Sequence, residues 1–93
     1  MKTYKQTDGV TFNALQYGVD PEAEHYVKKC YIGYDKKITK VPSDMLGTPK
    51  GAFFAVQTES GWCKIEDKDF IVDKNNEILV IPYSVFKLSF TEI

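Results

Sequence analysis

Polar and apolar residues alternate over residues 10–17, with Val10, Phe12 and Ala14 on one side of an extended chain and Thr11, Asn13 and Leu15 on the other. A period of two marks a strand with one apolar face, and Gly18 ends it. The period then changes. Asp20-Pro21-Glu22-Ala23-Glu24 carries the signs of a helix start: a capping side chain, a proline suited to the first turn, and acidic residues at the positive end of the dipole. Ala23, Val27 and Cys30, with Tyr26, recur at spacings of three and four, and Lys28 and Lys29 suit the negative end. This predicts a helix over 20–30.

Residues 31–34 and 37–41 are weaker strand candidates on either side of Asp35-Lys36. Residues 42–51, with Pro42, Ser43, Asp44, Gly47, Pro49 and Gly51, read as a flexible loop. Two hairpins follow. The first joins 52–58 to 62–66 through Glu59-Ser60-Gly61, with glycine at a left-handed position. The second joins 70–72 to 78–81 around Lys74-Asn75-Asn76-Glu77, where asparagine tolerates positive φ. Pro82 stops that strand and opens a short helical turn over 83–87, and Leu88-Ser89-Phe90 alternates again.

These elements predict an α+β fold: a mostly antiparallel β-sheet with one main α-helix, 20–30, packed on one face. Residues 1–9 read as an N-terminal lead-in. The expected core is Phe12, Ala14, Val27, Phe54, Val56, Ile71, Val80 and Phe86. Leu15, Phe53 and Trp62 fall out of phase with it, so the second sheet face is not fully polar. That argues for self-association, as a dimer, because exposed apolar groups invite a symmetric partner.

Ninety-three residues make a single domain, with 43% apolar and 14% aromatic residues to fill it and 27% charged residues to cover it. No apolar run is long enough for a membrane span, and the polar start does not resemble a signal peptide. The expected location is a bacterial cytoplasm. Cys30 and Cys63 belong to no metal-ligand or redox spacing and read as buried free thiols.

The net charge is −1 and all twelve basic residues are lysines. Arginine is the usual forked donor to guanine edges and phosphates, so its absence disfavours a sequence-specific nucleic-acid reader.

Val10, Ala14, Gln16 and Tyr17 fit a Val-x-x-x-Ala-x-Gln-aromatic strand; Thr58 and Gly61 fit a Thr-x-x-Gly hairpin; Asp69-Phe70-Ile71 and Pro82…Phe86 complete the pattern. In this the chain, from about residue 10 to residue 90, resembles the small phage and prophage proteins named for a Pro-Gly-Asp-Tyr-Ile signature. Asp67 and Lys68 stand where the signature has Pro and Gly, which puts its tight turn in question. The resemblance implies a phage or prophage origin and a compact α+β fold. It carries no chemistry to transfer.

Candidate chemistry is sparse. His25, between Glu22 and Lys29 on the expected helix, lacks a nucleophile and an orienting acid. Glu66, Asp67, Asp69 and Asp73 cluster but lack the spacing of a calcium loop. Gly47-Thr48-Pro49-Lys50-Gly51 lacks the phosphate-loop pattern. Lys64, inside a strand between Cys63 and Ile65, is the lysine best placed for burial. Six tyrosines are the strongest hint, since tyrosine serves recognition surfaces. Tyr31 and Tyr34, beside Lys36 and Lys37, are the candidate binding residues.

The expectation is a non-enzymatic phage protein, without metal or cofactor, that inhibits or modulates a host protein such as an antiviral defence factor. The alternative is an oligomeric protein that sequesters a small ligand or nucleotide.

Overall fold

The structure, a computed structural model, describes residues 1–92. In chain order its elements are β1 (Lys2–Gln6), β2 (Thr11–Gln16), a 3₁₀ helix (Pro21–His25), β3 (Val27–Ile32), β4 (Ile38–Lys40), β5 (Phe53–Thr58), β6 (Gly61–Lys64), β7 (Phe70–Lys74), β8 (Glu77–Ile81), α1 (Tyr83–Ser89) and β9 (Phe90–Glu92). The strands form two antiparallel sheets, ordered β8-β7-β2-β1-β9 and β4-β3-β5-β6. The fold is α+β, dominated by antiparallel strands, with one short α-helix among the described residues.

Strands β2 and β7 occupy the middle of the five-stranded sheet and bury both faces. On one face Tyr4, Phe12, Ala14, Phe70 and Val72 cluster with Phe86 of α1. Its aromatic rings stack, Phe86 lying 3.7 Å from Phe70 and 4.4 Å from Phe90 between centroids. On the other face Leu15 and Ile71 meet Ala23, Val27, Val56 and Ile65. This second core joins the two sheets. Leu15, out of phase with the expected core, is therefore covered within the chain, which removes one motive for a dimer.

The helix expected over 20–30 is replaced by a 3₁₀ turn followed by β3. Asp20 accepts from the Gln16 N–H (2.8 Å) and caps no helix. From Val27 onward the chain pairs with β5, Val27 opposite Val56 and Cys30 opposite Phe53. A spacing of three puts Val27 and Cys30 on opposite faces of a strand, and both are buried there. Sheet pairing outweighs the weak local preference for helix.

Residues 1–9 are not merely a lead-in. Lys2–Gln6 is a strand paired on both sides, with β2 and with β9. Its single apolar residue, Tyr4, fills the first core, which left no alternation to detect.

Both expected hairpins form. Asn75 and Asn76 adopt φ of 52° and 68°, the left-handed pair of a two-residue turn, and Gly61 has φ 108° beside the other. The turn at 66–69 also closes. The Asp69 N–H donates to the Glu66 carbonyl (3.0 Å), with Lys68 in the left-handed region at φ 75°, the place the resembled signature gives to glycine. The Asp69 carboxylate accepts from the N–H groups of Glu66 (3.0 Å) and Tyr83 (3.1 Å), fastening this turn to the start of α1. Gly18 (φ 84°) packs against it, and a Cβ there would strike the Asp67 carboxylate.

Of the expected core, Phe54 and Val80 differ. Val80 is half-buried at the margin of the second core. Phe54 shares the inward face of Val56 but is 45% exposed, because it lies beyond the reach of the covering sheet. Phe53 and Trp62 are half-buried on the outer face of the four-stranded sheet, where Cys30 and Ala55 are fully buried. Among the described residues no helix is long and apolar enough to cross a membrane.

Candidate binding surface

The molecule is elongated, 46 × 25 × 23 Å, and the β3–β4 hairpin carries two of its most exposed apolar side chains, Ile32 and Tyr34. Ile32 pairs with Ile38 at the mouth of the hairpin, and the tip is closed by the Gly33 N–H donating to Lys37 (3.0 Å) and the Lys36 N–H donating to Gly33 (2.9 Å). Lys36 takes φ 62°, and the Asp35 carboxylate steadies the tip by accepting from the Lys37 N–H (3.1 Å). The backbone of the tip is thus satisfied locally, and its side chains are left free to project.

Tyr34 is fully exposed and Ile32 is 63% exposed. Tyr31, Ile32, Gly33 and Tyr34 line a shallow depression of about 260 Å³, completed by Pro49 and Lys50 from the 42–51 connection. Leu46, in the same connection, is fully exposed, and Met45 is exposed beside it.

Of the four residues singled out by sequence, Tyr31 and Tyr34 come together in this depression. Lys36 and Lys37 sit at the exposed hairpin tip and do not line it. Sequence reasoning missed Ile32, Met45, Leu46 and Pro49. A signal was present in the charge distribution: residues 28–50 hold six lysines and two aspartates, against six lysines and eleven acidic side chains elsewhere. The hairpin region is positive on an otherwise acidic chain.

The other candidates are dispersed. His25 is exposed at the end of the 3₁₀ turn. Asp69 and Asp73 are used by local backbone, Asp73 accepting from the Asn76 N–H (3.1 Å). Among the described residues no three His, Cys, Asp or Glu side chains gather as metal ligands. Lys64 is exposed, its Nζ 5.7 Å from the Phe53 ring centroid. Cys63 is half-buried; burial pushes the Cys30 thiol above its ordinary range, partly offset by Lys40, which keeps it protonated and poorly nucleophilic.

No protein-family model, no curated protein and no solved structure matches this chain.

Proposed function

We propose that this is a non-enzymatic, phage- or prophage-encoded binding protein that acts in the host cytoplasm on a host protein, such as an antiviral defence factor. The β3–β4 hairpin and the 42–51 connection form its contact surface. One observation carries the reading: Ile32, Tyr34 and Leu46 stand in solvent within the lysine-rich quarter of the chain. An apolar centre with a charged rim is the anatomy of a recognition patch, with tyrosine a preferred anchor. The partner it fits presents an apolar hollow rimmed by acidic side chains. The viral part rests on the signature resemblance, and a closed turn at Asp67-Lys68 is compatible with it. The depression beside Tyr34, about 260 Å³, lies below the roughly 300–1,000 Å³ typical of small-ligand pockets, which favours a protein over a small ligand at this surface.

Native mass spectrometry after incubation with bacterial lysate tests this. A large protein adduct is expected, weakened by added salt and lost in Tyr34→Ala/Leu46→Ser, a variant whose melting temperature stays unchanged. A small bound molecule, or retention of single-stranded nucleic acid, would overturn the reading.

A further inference from the structure

Among the described residues four strand edges have no hydrogen-bonded neighbour: β8 and β9 in one sheet, β4 and β6 in the other. Three carry features that discourage strand addition. The strands β4 and β9 are three residues long and end in Lys40 and Glu92, and β6 ends in Lys64. By contrast β8 runs Ile78-Leu79-Val80-Ile81 with its one charge, Glu77, at the turn end.

The hairpin register shows which groups face outward. Lys74 and Glu77 flank the two-residue turn as a hydrogen-bonded pair, so Val72 with Leu79 and Phe70 with Ile81 are hydrogen-bonded pairs too. Ile78 and Val80 fall between them and turn their N–H and C=O groups away from β7. Among the described residues β8 pairs with no other strand.

We infer that a second copy of this chain adds to β8, antiparallel about a two-fold axis at Leu79. In that register Ile78 lies opposite Val80 of the second copy, and the reverse, so all four outward groups on each strand find partners. Leu79 meets Leu79 in the close, non-hydrogen-bonded position. Two features favour a copy over a foreign strand. Leu79 is 37% exposed beside exposed Val85, across a groove of about 370 Å³ between β8 and α1, and its twin would narrow that opening. Glu77 and Lys87 make no ion pair among the described residues; the register sets Glu77 opposite the second copy's Ile81, near the start of α1, toward which Lys87 of the last turn reaches back, its Nζ 5.7 Å from the Tyr83 ring centroid. Symmetry provides that charge match twice.

A charge swap on the axis tests the pairing. Sedimentation of the full chain at high micromolar concentration is expected to give twice the 10.6 kDa chain mass. Leu79→Lys and Leu79→Glu, which place like charges about 4.5 Å apart between Cα atoms on the axis, are each expected to be monomeric. Their equimolar mixture is expected to regain the dimer. A wild-type monomer, dimers in both single variants, or open-ended polymers through β9 would overturn the proposal. Hydrogen exchange provides an independent reading on the unaltered chain. The Ile78 and Val80 amides are expected to gain protection with concentration, and exchange at a concentration-independent rate would equally overturn it.

Discussion

The two sheets handle their faces differently. In the five-stranded sheet, β2 and β7 bury residues on both sides: Ala14 and Val72 toward α1, Leu15 and Ile71 toward the other sheet. In the four-stranded sheet, burial stops at Val27 and Val56 on the inward face and at Cys30 and Ala55 on the other, and beyond them Phe54, Ile32 and Tyr34 are exposed. The first sheet thus supplies most of the packing, and the second carries surface away from it. Packing and the proposed contact surface are placed on different stretches of chain, so they should respond to different mutations.

The sharpest way to break that comparison is Phe86→Ala. It removes a ring stacked between Phe70 and Phe90 and should cost about 3–5 kcal/mol, much of a small domain's stability, in a denaturant melt. A loss near zero would show that α1 is ornamental to the first core. Next is Asp69→Ala, which removes the acceptor of the exposed Glu66 and Tyr83 N–H groups and should cost about 1–1.5 kcal/mol. Circular dichroism should then show α1 loosening before the sheets melt.

Phe54→Ala should cost about 1 kcal/mol or less, since much of its ring is already wet. A loss equal to that of Phe86→Ala would put the second sheet's outer reach inside the core after all. The smallest effect concerns alkaline pH. Burial, then the charges of Glu92 and Asp20, hold the Tyr4 phenol above its ordinary 10.0. The neutral form contributes its full stability below that ordinary value, and the contribution is lost as pH rises through the folded value. Tyr4→Phe should therefore flatten the decline in melting temperature above about pH 10, the ordinary phenol value. An unaltered decline would mean that this phenol is hydrated.

Much of the first sheet was legible because its strands alternate and its turns use residues with distinct backbone preferences, Asn75-Asn76 above all. The 3₁₀ turn was misread for a physical reason. Asp20, Pro21 and the glutamates do start a helical turn, but Val27 and Cys30 are buried by strand neighbours on opposite faces, and spacing alone cannot separate that from one helical stripe. Strand β1 was invisible because one tyrosine carries all its burial. At the candidate surface Tyr31 and Tyr34 stood out by residue type. Ile32 and Leu46 did not, because an apolar residue in sequence reads as interior until the fold leaves it outside.

The pairing of Gln16 with Phe70 has a consequence for how the chain tolerates change. It clamps the two ends of an excursion that holds the whole four-stranded sheet, whose own pairings are made inside that stretch. Closing a longer excursion costs little, since doubling a loop adds only about 0.6 kcal/mol. Insertions at the 33–37 tip or in 42–51 would fall within it and leave the registers of β1, β2, β7 and β9 untouched. That end of the molecule can thus be lengthened, shortened or rewritten, while the clamp keeps the body's hydrogen-bond ladder in place.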